Sequence, residues 1–255
     1  MGNDPALAMY EAFATVYDDF THLNDYEMWL GQTLLPVLRS HGLEEGGRAL
    51  DVGCGTGRAF PPLLERGWQV HGCDLSPAML EVAARKGGSV PLDVADMRSL
   101  PHLGDFDLVL SLNDSLNYLL GDEDIVQALT GMKANLAEDG ILIFDVNSSS
   151  AYNGSYSEVH EVQHGGSRWM WAGRGEVAPS IFEAEITGDQ LEPVMQRERF
   201  RPVDEVLDAV RAAGLQLLAA HGMREEGGEI LLSAPPDEDR DYKLIFVAAR
   251  DQRPA

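Results

Sequence analysis

Ala49-Leu50-Asp51-Val52-Gly53-Cys54-Gly55-Thr56-Gly57-Arg58 is the stretch on which the fold turns. A short apolar run ends in three alternating glycines and feeds a helix-period segment at 59–66. Glycine is needed where backbone turns tightly or approaches a ligand with no Cβ in between. Open parallel sheets bind ligands at the carboxyl ends of their strands, which is where this loop stands. A dinucleotide site would want G-x-G-x-x-G and a helix N-terminus free to receive pyrophosphate. Here the spacing is G-x-G-x-G, and Asp51 precedes the first glycine by two residues. A carboxylate there repels an anion and welcomes an ammonium.

The same texture continues outward from the loop. Strands are expected at 48–52, 69–75, 90–94, 106–112 and 140–146, with helices at 59–66, 77–86 and 123–137 between them. Alternation of this kind is the mark of βαβ units and a parallel sheet. Ser76 before Pro77 supplies a helix start, because its hydroxyl can cap an orphan N–H while proline fits the first turn. Gly87 and Gly88 supply the stop. Over 148–200 the rhythm fails and short alternating strands take over, with Trp169 and Trp171 on one face and Phe182, Ala184 and Ile186 on one face of the next. Their separators are too short for crossover helices, so antiparallel pairing is expected. The βα pattern returns with a helix at 202–213 and strands at 215–220 and 242–249, with an acidic loop at 223–240 between them. Upstream, 4–42 reads as two amphipathic helices.

The chain has 255 residues, and 42 acidic against 19 basic side chains give a formal charge of −23. Binding a phosphate backbone or an anionic membrane surface relies on Lys and Arg, so neither nucleic acid nor membrane is an expected partner. No run approaches the ~20 apolar residues that cross a bilayer, and 1–10 lacks a secretory pattern, so a cytoplasmic protein is expected. Cys54 and Cys73 have no metal-ligand spacing and read as free thiols, and no metal is expected.

Two further strand ends are acidic. Gly72-Cys73-Asp74-Leu75-Ser76 places Asp74 21 residues after Gly53, near the ~20-residue offset at which a carboxylate reaches ribose hydroxyls. Asp93-Val94-Ala95-Asp96-Met97 ends the third strand, where Asp96 can accept from an adenine amine while Met97 and Leu75 pack on the ring. A nucleoside with a cationic tail and no phosphate satisfies all three positions, and S-adenosylmethionine is such a molecule.

On these motifs the chain resembles the class I S-adenosylmethionine-dependent methyltransferases, motif by motif from Tyr17 to Asp114 and more loosely beyond. Tyr17-Asp18, Asp25-Tyr26 through Trp29, the fourth-strand segment from Ser111 to Tyr118 and Leu119, and the strand insertion are similar to small-molecule N-methyltransferases. These include enzymes that dimethylate antibiotic amino sugars and the glycine and sarcosine enzymes. The resemblance implies an α/β, Rossmann-like, seven-stranded mostly parallel sheet with helices on both faces and an antiparallel insertion after the fifth strand. It divides the chain into an N-terminal helical lid (1–43), a donor-binding core (44–147), the insertion covering the acceptor site (148–200) and the completion of the sheet (201–255). It also implies that Asp51 lies near the methionine part of the donor, Asp74 at the ribose and Asp96 at the adenine, with Tyr17 closing over the donor carboxylate. Trp29, Gly53, Gly55, Thr56, Gly57, Leu75, Met79, Met97 and Leu112 complete the expected donor contacts.

Asn113 and Asp114 stand where small or apolar residues are common in that subgroup. Methyl transfer from a sulfonium needs positioning above all and no metal, and a base matters when the acceptor arrives protonated. Asp114 is the first candidate, either orienting the amine N–H groups or helping to remove the proton, with Asn113 and Tyr118 beside it. Trp169 and Trp171 could line an acceptor pocket or fill the seam under the insertion. His160 and His164 are either bases or surface residues, and Tyr10 and Phe13 read as helix packing. A small amine is the expected acceptor and a homodimer an open option. The rival readings are O- or C-methylation of a natural product and a noncatalytic donor-binding protein.

Overall fold

The computed structural model describes residues 4–22, 30–43, 46–227 and 229–251. Trp29, Asp25 and Tyr26 lie outside the described residues. Eight strands form the main sheet: β1 (Gly47–Val52), β2 (Trp68–Asp74), β3 (Leu92–Val94), β4 (Phe106–Ser111), β5 (Leu136–Asn147), β10 (Leu215–Glu226), β11 (Glu229–Ser233) and β12 (Lys243–Arg250). Their order is β11-β10-β12-β5-β4-β1-β2-β3. The pairs among β1 to β5 are parallel and those involving β12 and β11 antiparallel. The mostly parallel, helix-flanked architecture is the expected one.

One strand more than expected is present. Rather than looping, 223–240 continues β10 to Glu226 and returns as β11, pairing Met223 with Leu232 and Glu225 with Ile230. Its acidic composition hides an alternation in which Ile230 and Leu232 pack on the apolar face below. The fifth strand also starts early, at Leu136 beside Phe106, because the buried Asn135 amide stops the preceding helix. Its Nδ2 donates to Pro101 O at 3.0 Å and Gly131 O at 2.9 Å.

Alternation along the central strands sorts side chains to two cores. Leu142, Phe144 and Val146 face the helices Asp124–Ala134 and Val203–Ala212, while Ile141 and Ile143 face Phe60–Leu64 and Pro77–Gly87. Ser76 caps the latter as expected, its Oγ accepting from Met79 N at 3.2 Å. The insertion is a separate antiparallel sheet in the order β6 (Val159–His164), β7 (Ser167–Ala178), β8 (Ile181–Gly188), β9 (Leu191–Arg199). It packs on the N-terminal helix Pro5–Phe13 through a third core that contains Met9, Phe13, Tyr152, Tyr156, Trp169 and Trp171. The insertion and the N-terminal helix thus stand together at the carboxyl end of the main sheet.

Candidate active site

After Val52 the chain turns at Gly53, whose φ of 73° a side chain would resist. A Cβ there would lie 2.9 Å from Ser115 Oγ. Gly53 N and Cys54 N both donate to Cys73 O, at 2.8 and 3.0 Å, which ties the loop to β2. Gly55 N donates to Asp74 Oδ2 at 2.8 Å, and Ser76 N to Asp74 Oδ1 at 2.9 Å. Gly57 serves packing instead. It does not line the cavity, and a Cβ at this position would come within 2.6 Å of the Phe60 ring.

The loop opens into a cavity bounded by the tips of β1, β2 and β4, the segment after β3 and the N-terminal helices. Of the expected donor residues, Tyr17, Asp51, Gly53, Gly55, Thr56, Asp74, Leu75, Met79, Asp96, Met97 and Leu112 all line it. Asp51 is buried, and burial, with repulsion from Asp74 second, pushes its carboxyl up to about 7. Burial likewise raises Asp74, against the hydrogen bonds from Ser76 and Gly55. Neither is ion-paired with a basic side chain among the described residues. A buried carboxyl beside a half-buried one, with no counter-ion among the described residues, is costly to ionise until a cation arrives.

Asp96 is less free than the sequence suggested. It caps the turn Met97–Ser99 by accepting from Arg98 N at 2.9 Å, and the same guanidinium bonds both its oxygens. Burial works to raise Asp96, but Arg98 outweighs it and holds the carboxyl below its usual range. Arg98 Nη2 also reaches Asp4 Oδ2 at 2.6 Å, linking the N-cap of the first helix to the rim. That helix walls the cavity through Ala6, Leu7 and Tyr10. Tyr10 packs against the third core, in line with the packing reading, and also lines the cavity, whereas Phe13 is buried in that core. Glu11 holds the helix down, accepting from Ser76 Oγ at 2.7 Å and Ala78 N at 3.0 Å.

The segment after β4 forms the other wall. Asn113 and Asp114 both have φ of 61°, the left-handed region, which costs on the order of 1–3 kcal/mol per residue unless its surroundings impose it. One buried carboxylate imposes it: Asp145 of β5 accepts from Asn113 N and Asp114 N, each at 2.7 Å. Asn113 then lines the cavity, its Nδ2 3.4 Å from the Tyr17 hydroxyl. Tyr17 is pushed up to about 12 by burial first and Asp114 second. Tyr118 lines the cavity as well, and its hydroxyl accepts from Gln196 Nε2 of β9 at 2.9 Å.

Asp114 stands behind that wall. Its carboxylate does not line the cavity but accepts from Lys243 Nζ at 2.8 Å, and Lys243 also donates to Asp145 at 3.2 Å. Burial pushes Asp114 up to about 7, against the attraction of Lys243 and helped by Glu198 and Asp145. Lys243 is desolvated too, but its two carboxylates prevail and raise it.

The aromatic candidates belong to packing. Trp169 is buried and donates to Asp189 O at 3.0 Å, and Trp171 donates to Gln196 Oε1 at 3.0 Å. Neither lines the cavity. His160 lies on the outside of the insertion, its side chain 44% exposed, with its ring against Trp171 and Glu158 nearby. His164 is likewise exposed, beside His22 and Asp19. Sequence reasoning passed over Lys243, Asp145, Gln196, Glu198 and Arg98. A signal existed for the first two, since each is a charge within an otherwise apolar run, Lys243-Leu244-Ile245-Phe246 and Ile143-Phe144-Asp145-Val146.

The donor implied by the sequence fits this cavity. It needs a cation-seeking end, met by Asp51 beside Asp74, close backbone approach, met at Gly55 where nothing lies within 4 Å of a built Cβ, and an apolar slot, met by Leu75 and Met97. Comparison with known proteins points the same way: residues 49–140 match the methyltransferase domain family. This stretch is a methyltransferase domain. YqeM of Bacillus subtilis, a methyltransferase by its assigned name, is 38% identical over 145 residues, 55% of this chain and 56% of its own. A glycine/sarcosine N-methyltransferase from Aphanothece halophytica is 31% identical over 141 residues, 53% of this chain and 52% of its own. The chain thus spans about half the length of the curated relatives it matches. Among solved structures, the sugar N-methyltransferase KedS8 from Streptoalloteichus superimposes with a TM-score of 0.70 at 23% identity, covering 93% of each chain. The domain's fold is therefore shared well beyond 49–140, through the insertion and the final strands. None of the described helices is long and apolar enough to cross a membrane.

Proposed function

We propose that the chain is an S-adenosylmethionine-dependent N-methyltransferase of a small, amine-bearing metabolite. The observation that carries the donor reading is the buried Asp51 beside the half-buried Asp74 at the glycine loop, without a basic partner among the described residues. The acceptor reading is supported by the acidic side chains behind Tyr118, Asp114 and the fully buried Glu198, which favour an amine over an anionic acceptor. N-methyltransferases among the relatives and fold neighbours agree with it.

When bound, the donor supplies a methyl group on a positively charged sulfur. Asp51 and Asp74 hold its cationic and ribose parts, and the turn at Gly53 lets the backbone come close. The chain's main contribution is to fix the amine in line with the methyl, within about 3 to 3.5 Å, in a pocket shielded from water. Tyr10, Tyr17, Asn113 and Tyr118 line that side. Asp114 takes up the proton that the amine sheds, either directly or through one water, after a small movement of the wall. The N-terminal helices act as a cover, and the insertion supports the wall from behind through Gln196 on the Tyr118 hydroxyl. A histidine aimed at the methyl would have favoured O- or C-methylation, but neither His160 nor His164 lines the cavity.

The test is calorimetry with S-adenosylmethionine and its demethylated product, followed by a screen of amines, alcohols and carbon acids read by product mass. Donor binding and methylated amines are expected, and tighter binding of a phosphorylated nucleotide would end the reading. The donor's affinity should also depend on pH through Asp51. Below its midpoint of about 7 this carboxyl is protonated and neutral, so the donor's cation must displace a proton. Lowering the pH from about 7.5 to about 5.5 should weaken binding about tenfold or more, since a single linked proton allows up to tenfold per unit. A flat profile over that window would remove Asp51 from the cation.

A further inference from the structure

Lys243 is buried at the start of β12, away from the cavity, with a side chain 8% exposed. Its ammonium closes a ring of contacts. Lys243 Nζ donates to Asp114 at 2.8 Å and to Asp145 at 3.2 Å, and Asp145 in turn accepts the backbone N–H of Asp114 and of Asn113. Residue 114 is therefore held twice, by its backbone through Asp145 and by its side chain through Lys243. The ring crosses the sheet, since β12 pairs with β5 and places Ile245 opposite Asp145. Successive N–H groups in left-handed conformation form a cradle for an anion, and Asp145 is the anion here. Without the lysine, two carboxylates would face each other in a buried site, which is unfavourable unless one is protonated or moves away.

We propose that Lys243 is a positioning residue for methyl transfer: through Asp145 and Asp114 it fixes the left-handed Asn113–Asp114 turn and keeps the Asp114 carboxylate available as proton acceptor. This rests on the reading of Asp114 given above. The other groups that face Asp114 are Asp145 of β5, Glu198 of β9, Tyr10 and Tyr17 of the N-terminal helices, Tyr118 beside it, and Tyr152 and Tyr156 of the segment after β5. None of them is a base and the tyrosines are neutral, so Lys243 is the cation among these groups. Its removal raises the pH at which Asp114 ionises.

The test compares wild type with Lys243→Met, which keeps length and apolar volume but removes the charge. In carbon-labelled protein with the demethylated donor bound, the Asp114 carboxyl resonance is the one missing from Asp114→Asn, and its titration is followed by NMR. The Asp114 midpoint should rise by about one pH unit or more in Lys243→Met, and the acid limb of kcat on a methylated amine should move with it, with donor affinity within about twofold. A merely structural role would lower donor affinity or yield and leave the midpoint in place, and an unchanged midpoint overturns the proposal. If Lys243→Met does not fold, Lys243→Gln serves: it removes the charge but keeps a polar group, the Asp114 midpoint should again rise by about one pH unit or more, and an unchanged midpoint overturns the proposal. A midpoint that shifts while the rate profile does not would leave the charge effect intact and defeat the reading of Asp114 as proton acceptor.

Discussion

Asp114→Asn is expected to lower kcat on the amine acceptor by about 10²-fold or more, the lower end of what a positioned acid or base contributes. The substitution is close to isosteric and asparagine tolerates the left-handed conformation that residue 114 adopts, so the turn should survive. Its amide oxygen can still accept from Lys243, and Lys243 keeps Asp145 as a charged partner. What is lost is the basicity of a carboxyl that burial has pushed up to about 7, close to working pH. Donor affinity should stay within about twofold, because the Asp114 side chain does not line the donor cavity. Steady-state kinetics with the amine and calorimetry with the demethylated donor measure the two effects separately. Equal turnover would retire Asp114 and leave proton removal to water.

Asp74→Ala should weaken donor binding by about 1 to 3 kcal/mol, the usual penalty for leaving buried polar groups unpaired. The carboxylate does two jobs at once. Its oxygens accept from Gly55 N and Ser76 N, so it shapes the glycine loop and the start of the helix Pro77–Gly87, and its remaining lone pairs face the cavity. Alanine removes the proposed ribose partner and leaves the Gly55 amide without its Asp74 acceptor. Calorimetry reads the affinity. A variant that binds the donor as tightly as wild type would take Asp74 out of the ribose role and leave it a loop-shaping residue only.

Much of the lining of the cavity proposed for the donor was legible in the chain because it is local. A glycine loop, Asp51 just before it and acidic ends on the next two strands lie within some fifty residues, and each acts through backbone position at a strand tip. The helix start at Ser76 and the antiparallel insertion were readable for the same reason. The edge strand β11 escaped because its acidic neighbours masked Ile230 and Leu232. Gly57 and the two tryptophans show the limit of residue type as a guide, since a glycine beside Phe60 and indoles in a closed core satisfy packing rather than a ligand.

The sequence by itself determined the strand-loop-helix order, the acidity of the donor pocket and the residues at its floor, because strand alternation and glycine geometry act over a few neighbouring residues. Tertiary structure alone decided the wall proposed to face the acceptor. Asp114, Asp145, Glu198 and Lys243 come from four strands or strand ends as much as 129 positions apart, and no local pattern records that one ammonium sits between two of those carboxylates. Buried charge is governed by distance and desolvation, and both are set only when the sheet has closed around it.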